Sequence, residues 1–363
     1  METIIIYGAS TSAYNIFYLL KSFNIAPLCF VVTEKYEQQN EIEGIPIYQA
    51  DICLPKYSEA LVLMAVLYQD YQKVEEYIRS FGIKKYLQAG LDSDVDLQLR
   101  KAYFRKCYKE KFLELNKLRW DSFKNIKYDK IFKVFMVKNH KDKKVKILSD
   151  KQEEWIIPIQ AGASNTQLSL AQIKDNEGED NISEQNCNYC ELSAAYWIWK
   201  NITYDYIGLC HYRRKFILSK TMIQTFIEGS YDIIVPYPGF YAPDTKSAYL
   251  KVKPDNIYFL SDWEYMMEAI EILYPEYMKS AIKFEEGHYF IHYNMLIAKR
   301  EIYYIWCEFL FSILKYIEEK YQKEERKDRY LGYLGEALTS IFIFYHQEYN
   351  IVYADISFIG EDY

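Results

Sequence analysis

The sequence predicts an α/β protein in two parts, and three observations carry that prediction. The first 90 residues alternate short apolar, β-rich runs with segments of helical period. Residues 92–127 then form a charged stretch with no Pro and no Gly. After residue 130 a second, less regular alternation of strand and helix patterns begins. A chain of 363 residues is long enough for two separate cores.

In the first part, ETIIIY (2–7) is an apolar run that stops at Gly8. Residues 9–24 place Ala13, Ile16, Phe17 and Leu20 at helical spacing. PLCFVVTE (27–34), EGIPIY (43–48) and ALVLMAVL (60–67) are strand patterns, and QKVEEYIRSFG (72–82) is a helix pattern. Strand and helix in turn imply a small Rossmann-like parallel sheet over residues 1–90. The turn Gly8-Ala9-Ser10-Thr11-Ser12-Ala13 keeps only the first glycine of a dinucleotide fingerprint, with Ser10 in the second slot and Glu34 as the candidate ribose acid. A structural or regulatory module is therefore favoured over a nucleotide site. Residues 91–128 read as a helical linker whose basic residues, among them Arg100, Lys101, Arg105 and Lys106, form a solvated face rather than a lipid-binding one.

The second part, 129–363, opens with a strand at 130–137. Further strand patterns are WIIPIQAG, YDYIGLCHY, YDIIVPYP, HYFIHYNMLIAK and NIVYADISFI. Long helix patterns lie between them, the last being YLGYLGEALTSIFIFYHQ. A net charge of -7 speaks against a nucleic-acid partner. Seven cysteines, an odd number with no basic, cleavable leader before them, point to reduced thiols and a cytoplasmic setting. No run approaches the roughly 18 apolar residues of a membrane span. Cys187 and Cys190 form a C-x-x-C without the second pair of a zinc site.

The central stretch contains Asn181-Ile182-Ser183, Asn186, Tyr189-Cys190-Glu191-Leu192, Tyr196-Trp197-Ile198-Trp199-Lys200-Asn201 and Gly208-Leu209-Cys210-His211-Tyr212-Arg213-Arg214-Lys215-Phe216. This run resembles the bacterial capsular-polysaccharide-synthesis glycosyltransferases long catalogued as a domain of unknown function. PIQAGA (158–163), YNMLIAK (293–299), WCEFLFSIL (306–314) and RYLGYLGEAL (329–338) extend the likeness over roughly 130–363. Ser193 replaces the family's Thr, Lys215 its Tyr, and Gly335-Glu336-Ala337 its more usual Ala-Glu-Arg. The resemblance implies a GT-A-like fold and a nucleotide-sugar donor, with UDP-galactose in pyranose or furanose form as the leading choice. It also implies a growing capsular, exo- or O-antigen polysaccharide as acceptor, lipid-linked at the inner membrane face, with peripheral association of the enzyme there.

Glycosyl transfer needs the leaving diphosphate neutralised, the acceptor hydroxyl deprotonated and the donor held in line. GT-A strands of this kind commonly end in Asp-x-Asp with Mg²⁺ or Mn²⁺. Here the strand ends in His211-Tyr212-Arg213-Arg214, so the expectation is a metal-free diphosphate clamp by Arg213 and Arg214 assisted by His211, with Mg²⁺ or Mn²⁺ as the alternative. Asn181, Asn186, Glu191, Tyr212 and Asn294 are candidate donor contacts, with Ser183 and Asn186 equally readable as helix-capping residues. His288, Phe290 and His292 would share one face of a strand. Glu336 is the first candidate for the general base and Asp262 the second. The competing readings are a non-catalytic nucleotide-sugar scaffold or sensor of a polysaccharide assembly complex, and an oxidoreductase using the Gly8 turn.

Overall fold

The computed structural model describes residues 2–34, 40–118, 130–142, 153–251, 259–321 and 326–358. The chain forms two compact α/β units: Met1–Lys109 with Phe240–Val252, and Glu110–Gly239 with Lys253–Asp362.

The first unit is built on β1 (Ile4–Tyr7), β2 (Cys29–Val32), β3 (Glu41–Ile42), β4 (Ile45–Gln49), β5 (Leu61–Met64) and β6 (Lys85–Gln88). Their order is β3-β4-β2-β1-β5-β6, parallel throughout except for the β3–β4 hairpin. Both faces are covered, as a parallel sheet requires. Ile5, Val31, Val62 and Met64 join one core, which includes Val74 and Ile78 of the helix Tyr71–Ser80. Ile6, Phe30 and Leu63 join the other, which includes Ala13, Ile16, Phe17 and Leu20 of the helix Thr11–Ser22.

The sequence-expected linker divides. Its first part is the helix Asp94–Tyr108, which belongs to the first unit. Ser93 caps it by accepting from the Asp96 N–H at 3.2 Å. Arg100, expected on a solvated face, is buried, and its Nε donates to Asp96 at 2.8 Å. Residues 119–128 of that expected linker lie outside the described residues. The segment from Phe240 returns to this unit, where the Ala242 N–H donates to Asn15 Oδ1 at 3.1 Å.

In the second unit the strands are β7 (Leu113–Glu114), β8 (Phe132–Lys138), β9 (Ile156–Gln160), β10 (Ile173–Lys174), β11 (Tyr206–His211), β12 (Arg214–Phe216), β13 (Ile233–Pro236), β14 (Gly239–Phe240), β15 (Tyr289–Phe290), β16 (Ile297–Lys299), β17 (Ile351–Ala354) and β18 (Ile356–Phe358). The main sheet runs β10-β9-β8-β11-β16-β13-β17-β7, with β12 and β18 appended beside β11. β10, β9, β8 and β11 are mutually parallel, whereas β16 is antiparallel to both of its neighbours. The expected strand through His288 and His292 is broken. The strand is only Tyr289–Phe290, so His288 and His292 lie outside it and do not share a strand face, and the chain then turns at Tyr293 and Asn294, whose φ of 72° and 50° are left-handed.

Strand order reverses between β1 and β5 in the first unit and between β8 and β11 in the second. From β1 the chain proceeds outwards to β2 and β4, then crosses β1 to lay down β5. From β8 it proceeds to β9 and β10, then crosses β8 to lay down β11. A crevice opens at the carboxyl ends of the strands where such a reversal occurs, and ligands of open α/β sheets bind there.

Candidate functional site

The reversal between β8 and β11 gathers the polar residues of the second unit. β8 and β11 pair in register, with Val137 opposite His211, and the Tyr212 N–H donates to the Val137 carbonyl at 3.1 Å. β11 then turns back into β12 through Tyr212 and Arg213, so that His211 and Arg214 face each other directly. On the neighbouring strand, the turn after Lys138 is closed by Asp142, whose Oδ2 accepts the Asn139 N–H at 2.6 Å.

His211 is fixed by the backbone: its Nε2 lies 2.7 Å from the Tyr293 carbonyl, which can only accept, so Nε2 carries the proton. The same Nε2 is 3.7 Å from Glu191 Oε1. Arg329, at the start of the last helix, completes the group. Its Nη2 is 3.9 Å from Glu191 Oε2 and its Nε donates to Cys190 Sγ at 3.0 Å. Cys190 is pushed up to about 12 by burial first and by the Glu191 charge second. It is a neutral thiol at neutral pH. The two expected arginines part company. Arg214 lies 4.1 Å over the Tyr293 ring and braces the residue that holds His211. Arg213 sits in the two-residue turn, 5.4 Å from the Tyr212 ring.

Burial raises the Asp142 carboxyl above its ordinary range. The Asn139 N–H bond and then the charges of His211, Arg213 and Arg329 oppose that rise. Basic side chains from two chain segments, the β11–β12 hairpin and the start of the last helix, therefore act on one carboxylate at the switch point. Neither Asp142 nor Arg329 stood out in the sequence. Their signals were positional, a short polar turn after a strand and the first residues before a helix.

Glu191 and Asn294 form a buried floor. Asn294 Nδ2 donates to Glu191 Oε1 at 2.8 Å and to the Gly332 carbonyl at 3.0 Å. Two glycines of the last helix, Tyr330–Tyr345, make this approach feasible. A Cβ on Gly332 would meet Cys190 Sγ at 3.1 Å, and one on Gly335 would meet Asn294 Oδ1 at 3.0 Å. Cys190, with φ 53° and ψ -127°, and the pair Tyr293-Asn294 are strained backbone positions around this one floor. Each costs on the order of 1–3 kcal/mol. Asn294, expected to touch the donor, is fully buried and spends its amide on this floor instead.

Glu336 stands one helical step further along the last helix. Its Oε2 lies 3.8 Å from His292 Nδ1, and 18% of its side chain remains exposed. It follows Gly335, which packs against Asn294 of the floor.

Three expected site residues turn away. Asn186 donates through Nδ2 to the Cys190 carbonyl at 2.5 Å and to Ser193 Oγ at 2.8 Å, while its Oδ1 accepts from Asn139 Nδ2 at 2.8 Å. Asn181 accepts the Ser183 N–H at 3.2 Å and donates to the Gly178 carbonyl at 2.8 Å. Both belong to a scaffold around Asp175, a fully buried carboxylate overlooked in the sequence. Asp175 accepts from the N–H groups of Gly162 and Ala163 at 2.8 and 3.0 Å, and from the hydroxyls of Ser183 and Ser193 at 2.5 and 2.6 Å. Asp262 is likewise engaged. It is 1% exposed and accepts from Arg326 Nη1 at 2.5 Å, from the Tyr321 hydroxyl at 2.7 Å and from the Phe259 N–H at 3.3 Å. A carboxylate so occupied cannot take a proton from an acceptor.

Among the described residues no three His, Cys, Asp or Glu side chains converge as a metal cluster would require, and no helix is long and apolar enough to cross a membrane.

A protein family described as a domain of unknown function, DUF4422, matches residues 133–348. Among solved structures, the apo form of the bifunctional glycosyltransferase WbbM shares the fold. The TM-score is 0.55 with 24% identity, over 63% of this chain and 45% of that one. The chain thus spans less than half the length of that enzyme. A UDP-D-quinovosamine 4-dehydrogenase from Vibrio fischeri matches 27% of this chain and 85% of its own at 18% identity, with a TM-score of 0.22. No curated protein matches the sequence.

Proposed function

The chain belongs to the DUF4422 family, and we propose that it is a glycosyltransferase that moves a sugar from a nucleoside-diphosphate donor to a saccharide acceptor. The observation that carries this reading is the convergence of His211, Arg213 and Arg329 at the β8/β11 switch point. It is the location where an α/β sheet holds a ligand, and it presents the charge that a leaving diphosphate needs. The fold shared with the bifunctional glycosyltransferase supports the same reading.

In this mechanism the Arg213 guanidinium makes charge-assisted hydrogen bonds to the diphosphate. Arg329 adds positive charge at its flank, and His211, held by the Tyr293 carbonyl, lines it. The acceptor hydroxyl attacks the anomeric carbon as the bond from that carbon to the diphosphate oxygen breaks. The nucleoside diphosphate leaves with the electron pair, and Glu336 takes the acceptor proton. Arg214, Glu191 and Asn294 hold the shape of the site rather than the donor. The cations do the work that a divalent metal does elsewhere, so no metal is required. UDP-galactose, pyranose or furanose, is the proposed donor. A growing surface polysaccharide, lipid-linked at the inner membrane face, is the proposed acceptor.

The test is nucleotide release from a panel of UDP-, GDP- and dTDP-sugars with a saccharide acceptor, with and without EDTA. Release from one donor that survives EDTA supports the proposal. Activity abolished by EDTA and restored by Mn²⁺ would sink the metal-free clamp, and binding without any turnover would favour a scaffold.

A further inference from the structure

Arg329 brings charge to the switch point, yet its side chain is 58% exposed and it stands just before the last helix begins at Tyr330. A long exposed arginine explores many rotamers unless it is held. Two anchors fix the backbone that carries it. The first is Asn188, whose Nδ2 donates to the Arg326 carbonyl at 2.9 Å and to the Asp328 carbonyl at 3.0 Å, so that one amide spans the run 326–328. A carbonyl only accepts, which places the NH₂ group on that side, and the Asn188 Oδ1 accepts from the Cys187 thiol at 3.1 Å. The second anchor is Arg326. Its Nη1 donates to Asp262 Oδ1 at 2.5 Å, its Nε to Asp328 Oδ1 at 2.9 Å and its Nη2 to Asp328 Oδ2 at 2.5 Å. Its guanidinium lies 4.0 Å over the Tyr330 ring, and its side chain is only 10% exposed. Arg326 is spent on this clamp, and Asp262, too occupied to serve as a base, finds its role there.

Asn188 lies on the same short segment as Cys190 and Glu191, the groups that the Arg329 side chain meets at 3.0 and 3.9 Å. That segment therefore holds Arg329 twice, through the backbone before it and through its own guanidinium. Resting on the reading of this switch point as a diphosphate site, we infer that Asn188 is a positioning residue for the transfer reaction: it holds the run 326–328 so that the Arg329 guanidinium stands ordered before the donor arrives. The Arg326 clamp on Asp262 and Asp328 fixes the same run through its side chain. An arginine ordered in advance does not lose its rotamer freedom at the moment of binding, so the leaving diphosphate is held more tightly. Asn188 touches no reacting atom, and no bond forms or breaks in this role.

The test combines NMR of the arginine side chains with calorimetric titration of UDP, in full-length wild-type protein, Asn188→Ala, Arg329→Ala and the double variant. The Arg329 Nε–H signal is identified by its loss in Arg329→Ala. In Asn188→Ala that signal should move to the position of a freely hydrated arginine, and UDP should bind about twofold to tenfold more weakly. In the Arg329→Ala background the Asn188 change should have no further effect. Asn188→Ser, with one donor for two carbonyls, replaces the alanine variant if that variant fails to fold. Where the wild type binds UDP, an unmoved signal, an unchanged UDP affinity or losses that add in the double variant each overturn the positioning role and leave the donor reading standing. A signal that moves in a protein that binds no UDP keeps the placement of Arg329 and sinks the donor reading. An unmoved signal without UDP binding sinks both.

Discussion

In the first unit the strand order reverses between β1 and β5, and in the second between β8 and β11. At the first reversal the turn after β1 and the end of β6 approach the backbone at the end of β5 closely. A Cβ on Gly8 would lie 2.8 Å from the Ala65 carbonyl oxygen, and one on Gly90 would lie 2.0 Å from that of Val66. The Gly8 N–H is spent on the Val31 carbonyl at 2.8 Å, and Ser10 caps no helix N–H with its side chain. At the second reversal stand His211 and Arg213 of the β11–β12 hairpin, with Arg329 beside Glu191. The difference teaches that a doubly wound sheet supplies a place for a ligand but not a reason to bind one. The reason comes from side chains brought in by other segments, here the β11–β12 turn and the start of the last helix.

The comparison can be broken most severely at the frame of the second site. Asp175→Ala strands two buried hydroxyls and two N–H groups, and should lower unfolding free energy by about 3–5 kcal/mol, read by chemical denaturation. A loss below about 1 kcal/mol would show that the scaffold does not depend on it. Next in size, Arg213→Ala should cut kcat/KM for the donor by about 10²–10³ with unchanged thermal stability. Retained activity would remove the diphosphate clamp. Glu336→Gln should lower kcat by about 10² and leave donor KM nearly constant. A matching rise in KM would instead make Glu336 a binding group.

A smaller effect follows from Asp142. A carboxyl raised by folding contributes stability below its unfolded value, and that contribution is lost as pH rises through the folded value. Asp142→Asn should therefore be more stable than wild type at pH 7, and the advantage should vanish as pH falls through the acid range. Denaturation midpoints at a series of pH values decide this, and an advantage that persists unchanged at acid pH would contradict it. The least effect belongs to the first switch point. Ser10→Ala should change transfer activity and UDP affinity less than about twofold, since its side chain is exposed and makes no cap. A large loss there would place nucleotide chemistry in the wrong unit.

Much of this was legible before any coordinates. Apolar, β-rich runs gave β1, β2, β4 and β5, and a period of 3.6 gave the helices Thr11–Ser22 and Tyr71–Ser80, because burial on both sheet faces imposes such patterns; the short, largely exposed β6 (Lys85–Gln88) and β3 did not stand out. The run ending in His211-Tyr212-Arg213-Arg214 was legible as a strand end carrying cations where carboxylates are common. Other expectations failed for reasons that one sequence cannot carry. An asparagine reads alike whether its amide meets a ligand or, as for Asn186 and Asn294, a carbonyl and a side chain distant in sequence. Asp262 and Glu336 are both acids on helices. Only the packing shows that Arg326 and Tyr321 occupy the first, while the second remains partly open beside His292.

The sequence by itself determined the α/β class, the two-part organisation, the absence of a long apolar span and the cationic end of β11, since each depends on residues near one another in the chain. The tertiary structure alone decided which basic side chains converge, which polar residues are consumed by the frame, and that His211 and Arg329 meet at Glu191. Those are contacts between segments as far apart as residues 191 and 329, and their pairing is set by strand order and helix packing, which local spacing does not encode.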